Sequence, residues 1–439
     1  MRRFLLLLLC SFPVHTWAAT ENWLVVLDRW GSLSYDTLSL TSEADKGSDK
    51  LSGKFGGDPL SGTRKGKRIA FKVVSQQGTY LYEGTLEGKG DGAAIKGSAD
   101  FPDTNNPKAR AQHRFTARKI AGRPAGPPRL HDFTPTDYSN EFSPHRLPVL
   151  TVWPGDTVRT TTLDSGGVDQ HGVTRALYGN PQTGPFYIDG AEPGDTLVVH
   201  LKKVRLNRDY ADSLDGLVGR AMSNALAVKS TELGKAVRWK LDRQRGLATP
   251  SDAGPAMANV VLPVRPMLGG LAVAPGNGMP PISTGDTGRF GGNMDFNEVI
   301  EGNTVYLAVQ QPGALLYLGD AHALQGDGET SQYALETSMD VEFTVDVVKG
   351  KSIPSPRVES PTQIMTLGQA GSLDDALRAG ASAMVDWLQR DYGLSVSESA
   401  QLLGSAVKIN VANLAGRSVG MAVRIDKALL PPVKTPAPK

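Results

Sequence analysis

Cysteine is almost missing from this chain, which has one, Cys10, in 439 residues. It lies in the apolar run Phe4 to Cys10, behind Met1-Arg2-Arg3 and ahead of the small-residue exit Thr16-Trp17-Ala18-Ala19. That order is expected of a secretory signal peptide over residues 1–19, cut near Ala18 or Ala19, and of a secreted or periplasmic protein. A twin-arginine signal at Arg2-Arg3 and lipidation at Cys10 fit less well. The Leu run suits the general secretory route, and Leu9 is a poor small residue before a lipidated Cys. Cleavage removes Cys10, so disulfides and thiolate ligands are excluded and any metal must rest on nitrogen and oxygen.

Two further shortages narrow the function. The first apolar run is too short for a permanent span, and no later segment approaches the ~20 apolar residues a membrane helix needs, so no membrane insertion is expected. An excess of one charge is also missing: taking Arg2 and Arg3 from the 47 Lys+Arg leaves 45, equal to the 45 Asp+Glu. Such a balance offers no electrostatic footprint for nucleic acid.

Glycine and proline, at 49 and 29 residues, are plentiful and imply many turns, hence many strands. From residue 20 to 120 short alternating segments (Trp23 to Leu27, Ile69 to Val73, Tyr80 to Leu86, Arg114 to Arg118) predict a small all-β accessory domain, a barrel or sandwich. Thr41 to Lys67, rich in Gly, Ser, Asp and Lys, is expected to be an exposed loop around one short strand, and the paired Trp23 and Trp30 to be core. The Pro/Gly-rich stretch 121–130 marks a linker.

The larger domain is expected over 131–430, mainly β with an α+β portion. Pro154-Gly155-Asp156-Thr157 and Pro193-Gly194-Asp195-Thr196 read as strand entries. In the strand after the second, Leu197, Val199 and Leu201 face one way, which makes His200 a half-buried sheet residue rather than a ligand. Val341 to Val347 alternates as a strand with Glu342 and Asp346 on its wet face. A helix is predicted from the cap Ser372 and Asp375 to Gly393, with Leu373, Leu377, Met384 and Leu388 as its core stripe. A second runs from Val396 to Leu403 behind Ser395 and Glu398, before strands at Val407 to Val411 and Val419 to Ile425. Asn207 to Pro255 reads as a polar, helical insert, and 431–439 as a disordered tail.

Of the six histidines beyond the leader only His322 stands among acids, in Asp320-Ala321-His322-Ala323-Leu324-Gln325-Gly326-Asp327-Gly328-Glu329. An extended backbone would set Asp320 and His322 on one face, at a spacing suited to one shared cation. Gly291-Gly292-Asn293-Met294-Asp295 is a second Gly-rich turn presenting polar groups. Two readings stand side by side. Asp, Asn and Gly are ordinary turn vocabulary, so both segments can be surface turns. Alternatively Asp295, Asp320 and His322 hold a divalent ion, Zn²⁺ first and Ca²⁺ or another behind it, with Glu329 as proton shuttle and Gln325 or Asn293 orienting a carbonyl. Nucleophilic catalysis has less support, for there is no Cys beyond the leader and no Gly-x-Ser-x-Gly elbow.

Three ordered phrases, Thr183 to Asp195, Gly291 to Asp295 and Gly319 to Glu329, make the chain resemble the acetamidase/formamidase family over roughly residues 140–425. Supporting similarity lies at His145-Arg146, Pro154-Gly155-Asp156, Leu262 to Gly269 and Leu402 to Ser405. The resemblance implies a β-sandwich with an α+β portion, usually oligomeric, that hydrolyses a linear amide to a carboxylate and ammonia with a metal near Asp320 and His322. It implies a site lined by Asn293, Asp295, Asp320, His322, Gln325, Asp327 and Glu329, with His145 and Asp164 as further substrate contacts. The chain departs from the family pattern in its N-terminal domain, in Asn207 to Pro255, and around Asn413 to Lys427. The extra domain suits a substrate larger than formamide or acetamide. A different hydrolase on the same scaffold, opening a cyclic amide or cleaving an ester, and a binding protein that keeps the fold without turnover are the alternatives.

Exported protein is expected to begin at Ala19 or Thr20 and to show no thiol when titrated in denaturant. N-terminal sequencing that finds Cys10 retained would sink this expectation.

Overall fold

The computed structural model describes residues 20–433 apart from 45–46, 104, 107, 121–122, 124, 252–253 and 277–278. The expected leader, part of the expected linker and residues 434–439 of the expected tail lie outside the described residues. The chain divides into two compact units between Pro124 and Ala125. No helix among the described residues is long and apolar enough to cross a membrane.

The first unit is a closed antiparallel barrel of eight strands joined in sequence order: β1 (Thr20–Arg29), β2 (Ser32–Glu43), β3 (Asp49–Phe55), β4 (Asp58–Lys65), β5 (Arg68–Ser75), β6 (Gly78–Glu87), β7 (Ala94–Pro102) and β8 (Arg110–Lys119). Strand β8 returns to β1, pairing Val25 with Ala117, so the sheet has no free edge. Alternation fills the interior: Ile69, Phe71 and Val73 of β5 point inward with Leu51, Phe55 and Leu60. The last three correct the loop expected over Thr41 to Lys67, which forms β3 and β4. Its Ser, Lys and Asp are the wet face of a hairpin, and Gly56 and Gly57, at φ 55° and 98°, make its turn. Trp23 is core, whereas Trp30 corrects the pairing expected for it and stands 83% exposed on the β1–β2 turn.

The second unit is built on two large sheets with a two-stranded ribbon (Glu141–Phe142 with Ile282–Ser283) beside them, and Phe186 of one large sheet packs edge-on against Phe343 of the other with ring centroids 5.5 Å apart. In the first sheet, Leu316–His322 lies between Gln182–Ile188 and Met267–Val273, pairing antiparallel with both. All three strands are buried throughout, which holds the end of Leu316–His322 rigidly inside the protein. The second sheet carries Thr196–Leu206 and Met339–Val348, paired along their length. His200 is half-buried there and hydrogen-bonds Thr304 Oγ1 at 2.9 Å. The two PGD turns use their acids alike: Asp156 accepts from the Arg129 N–H and Asp195 from those of Glu192 and Gly350.

Between Asn207 and Pro255 the structure corrects the helical insert. Its described residues hold the strands Tyr210–Leu214, Ala236–Asp242 and Leu247–Pro250, with a 3-10 turn, Gly219–Ala221, and a short α-helix, Asn224–Lys229. Trp239 and Leu241 face inward while Arg238 and Lys240 face water, so the polarity belongs to one side of a sheet extension. The longest helix, Leu373–Tyr392, starts at the Ser372 cap and stops at Gly393, left-handed at φ 74°. Met384 and Leu388 are buried, whereas Leu373, expected in the same stripe, stands at the solvent-facing first turn and is exposed. The helix Val396–Ala406 begins with a full capping box from Ser395 and Glu398.

The long helix lies so close to its sheet that a Cβ on Gly368 would fall 1.7 Å from the Ala376 carbonyl oxygen and 2.5 Å from the Gly380 nitrogen. Neither backbone atom can swing aside. Gly368→Ala is expected to destabilise the second unit by about 1–3 kcal/mol or more, read as a lowered denaturant midpoint. An unchanged midpoint would refute the tight packing.

Candidate active site

At the end of Leu316–His322 the backbone leaves the extended form expected for it. Asp320 is left-handed at φ 54°, and two other acids that gather beside it, Asp295 at 40° and Glu329 at 42°, share that conformation. Each such non-glycine residue costs on the order of 1–3 kcal/mol, a strain that persists only where surrounding contacts over-determine it.

Those contacts can be traced atom by atom. Asn180 Nδ2 donates to Asp320 Oδ2 at 2.9 Å and to Asn293 Oδ1 at 2.8 Å. Asn293 in turn donates to Asp295 Oδ2, which also accepts from Asn413 Nδ2 at 2.7 Å. Gln325 donates to the Asp295 carbonyl oxygen at 2.5 Å and presents its own amide oxygen to His322 Nδ1 at 2.8 Å. That oxygen only accepts, so Nδ1 carries a proton and the ring is held with Nε2 turned toward the acids. Glu329 accepts from the Ala334 N–H at 3.0 Å.

The remaining oxygens and the imidazole face one another. His322 Nε2 lies 3.1 Å from Glu336 Oε1 and 3.6 Å from Asp320 Oδ1, without a hydrogen bond to either. Asp295 Oδ1, Asp320 Oδ1, His322 Nε2 and Glu336 Oε2 are buried with no partner. Asp295, Asp320 and His322 form one group, and His322, Glu329 and Glu336 another, within which the donor atoms lie no more than 4.8 Å apart. Either donor set suits a metal ion: unpartnered buried carboxylates and an imidazole are the ligands of a hard or borderline cation. Gly269 passes bare beneath them, where a Cβ would sit 2.5 Å from Asp295 Oδ1 and 2.9 Å from Asp320 Oδ2.

Electrostatics follow from the crowding. Burial, reinforced by the Asp320 charge, pushes the Asp295 carboxyl up to about 8. Glu329 is driven well above the carboxylate range by burial and then by Asp295. Burial raises Glu336 although His322 opposes it. For His322 burial favours the neutral ring, but Glu336 and Asp320 together outweigh it and hold the imidazole well above its usual value.

The cluster opens on a cavity of about 240 Å³ that Asn180, Asn293, Asp320, His322, Glu329 and Glu336 line, with Ser165, Tyr178, Tyr333 and Arg417 among its other walls. A wider surface depression of about 1090 Å³ beside Arg205, Arg243 and Arg265 has no histidine in its lining and no comparable chemistry. The small cavity's lip is the loop after Asn413. Arg220 fastens it by donating to the carbonyl oxygens of Leu414 (2.9 Å), Gly416 (2.6 Å) and Arg417 (3.0 Å).

The structure therefore brings together Asn293, Asp295, Asp320, His322, Gln325 and Glu329. Asn293 lines the cavity, but its amide is spent on Asn180 and Asp295, which makes it a positioning group rather than the substrate contact expected of it. Asp327, expected in the catalytic set, is exposed instead and accepts from Asn297 and Asn410. His145 is half-buried on the loop after Phe142 and is not a wall of the cavity. Asp164 is tied to the buried Arg208 at 2.7 Å, and its neighbour Ser165 reaches the cavity in its place.

Sequence reasoning missed Glu336, Asn180 and Asn413. Glu336 is the direct cross-strand partner of His322, a register that no local pattern announces. Asn180 precedes the first family phrase by three residues, and that adjacency was the one available signal.

Residues 283–404, which hold every acid of the cluster and His322, match the model of the acetamidase/formamidase family. The second unit is acetamidase/formamidase-like. A formamidase candidate of Schizosaccharomyces pombe is 28% identical over 232 residues, 40% of this chain and 55% of the relative, so the chain spans about half that relative's length. The formamidase of Methylophilus methylotrophus is 24% identical over 343 residues, covering 61% of this chain and 82% of that protein. Among solved structures, the acetamidase of Yersinia enterocolitica superposes with a TM-score of 0.60 at 28% identity, covering 70% of this chain and 94% of that one.

The raised carboxyls of this acetamidase/formamidase-like unit give metal-free protein a signed pH dependence. A folded Asp295 that titrates near 8 keeps a proton the unfolded chain loses near 4, so its contribution to stability is present at low pH and fades as pH climbs through that window. His322, raised in the fold, adds the same sign above about 6.5. Thermal midpoints in chelator should therefore fall from pH 4 to 8 more steeply for the native protein than for Asp295→Asn. Equal slopes would contradict the buried, cation-free picture of Asp295.

Proposed function

We propose that this protein hydrolyses the C–N bond of a small linear amide, giving a carboxylate and ammonia, outside the cytoplasm and with a divalent cation at Asp295, Asp320 and His322. The observation that carries this is the cluster of unpartnered Asp295 Oδ1, Asp320 Oδ1, His322 Nε2 and Glu336 Oε2, of which Asp320, His322 and Glu336 stand on the wall of a small polar cavity. The names of the relatives support an amide as substrate. A cavity of about 240 Å³ favours a short acyl group over the larger substrate expected from the extra domain.

Asp295, Asp320 and His322 would hold the cation, Zn²⁺ being first choice, which when bound would supply polarisation of a carbonyl and a more acidic water. The chain does the rest. Gln325 fixes which imidazole nitrogen faces the cavity, and Asn180, Asn293 and Asn413 each hold one carboxylate oxygen so that its twin stays directed inward. Glu329 is the proton carrier: burial and Asp295 give its carboxyl a proton affinity unusual for an acid, suited to taking a proton from water and delivering it to the departing nitrogen. The water oxygen joins the carbonyl carbon, the C–N bond breaks, and the nitrogen leaves as ammonia. Assembly as a homo-oligomer is part of the same proposal and is read by sedimentation.

Purified protein should release ammonia and carboxylate in equal amounts from formamide, acetamide or propionamide, and contain a divalent metal that His322→Ala loses. Glu329→Gln should lower kcat by about 10²–10⁴ with metal retained, whereas Asp327→Asn, on the surface, should change it by no more than about twofold. Carboxylate without ammonia from ester analogues alone would replace the amidase reading by an esterase. Equal metal in native and His322→Ala protein would remove the ligand assignment.

A further inference from the structure

We propose that the aromatic mouth of the N-terminal barrel binds a neutral, hydroxyl-rich ligand of the carbohydrate class. One end of the barrel, where the β1–β2, β3–β4 and β5–β6 turns gather, opens on a cavity of about 410 Å³, within the range of small-molecule sites. The eight strands close on themselves, so this cavity is a permanent feature of the fold and not a gap between elements.

Tyr80, Tyr82 and Phe101 line it, and from them a connected series of rings runs outward. Phe101 meets Tyr80 at 4.7 Å, with Tyr82 behind, and His113 at 5.0 Å, and beyond the cavity lining His113 meets Trp30 edge-on at 4.7 Å on the β1–β2 turn, next in sequence to the lining residue Arg29. Trp30 departs most from what folding alone requires. It takes φ 55° in a two-residue turn with Gly31, a place suited to Asn, Asp or Gly, and it is 83% exposed. Asp28 Oδ1, accepting from the Gly31 N–H at 2.6 Å, holds the turn that displays it. Apart from its edge contact with His113 the barrel gains little burial from this bulky, strained residue, and strain with so little return in packing points to a contact made outside the fold.

The polar walls choose the ligand class. Gln76 and Gln77 at the β5–β6 turn both donate and accept, as hydroxyl groups do, and Asp58 and Arg29 extend that set. An apolar ligand would strip water from these groups and return nothing. An anion would meet Asp36 and Asp58 against one cation, Arg29. A sugar satisfies both halves, laying its C–H face on Trp30 or Tyr80 and its hydroxyls on the amides and charges.

The full chain, with its leader removed, is titrated with cellobiose, N,N′-diacetylchitobiose and maltose by calorimetry and tryptophan fluorescence. One saturable site for at least one of them is expected, weakened about tenfold or more by Trp30→Ala and by Tyr80→Ala. Both variants should keep the native circular dichroism and ammonia release, because Trp30 is exposed and neither residue lies in the second unit. No saturable binding of any of the three sugars, binding that Trp30→Ala leaves unchanged, or a stronger response to phenyl phosphate than to every sugar would each overturn the proposal. Loss of amide hydrolysis in the native chain would count against the proposed activity and not against this site.

Discussion

Asp295, Asp320, Glu329 and Glu336 share one buried space with His322, and like charges so placed cannot all remain ionised without a balancing cation. Much of the second unit answers to that constraint. The amide side chains of Asn180, Asn293, Gln325 and Asn413 are arranged so that nearly every hydrogen bond goes to the outer atoms of the acids and the imidazole, leaving the inner atoms bare. Left-handed backbone at three of the acids is the local cost of aiming carboxylates at a common point.

The scaffold meets this cost with rigidity. Three strands buried on both faces carry the cluster's centre, and Gly269 lets one of them run beneath the carboxylates without a side chain in the way. Sheet pairing sets Glu336 opposite His322, and Arg220 holds the lip that delivers Asn413. The segment holding Arg220 departs from the family pattern, yet its grip on the cavity's surroundings falls on main-chain groups: Arg220 donates to three carbonyls of the lip, Arg208 to the Glu336 carbonyl at 3.1 Å, and Asp212 pairs with Glu336 across the sheet.

What the sequence disclosed was mostly local. Capping at Ser372, Gly393, Ser395 and Glu398 depends on residues three or four apart, and those helices lie where expected. Asp320 and His322 were legible as neighbours. The misses come from composition read without its fold: Ser, Lys and Gly in β3 and β4 suggested a loop because only their inward partners Leu51, Phe55 and Leu60 reveal a strand. Arg238 and Lys240 hid a sheet in the same way. Glu336 and Asn413 were silent because their role arises from register and chain return, and Asp327 looked catalytic because proximity in sequence stood in for direction in space.

The chain separations inside the cluster have a consequence for how the protein is made. Asn180 reaches Asp320 across 140 residues and Asn413 reaches Asp295 across 118, contacts whose loop-closure entropy defers them to late stages of folding. A partly folded chain holds Asp320 and His322 but not the groups that direct them, so a cation would be captured by the finished sheet rather than by a nucleus. Its binding energy would then fall wholly on the native state, slowing the loss of that state without hastening its formation.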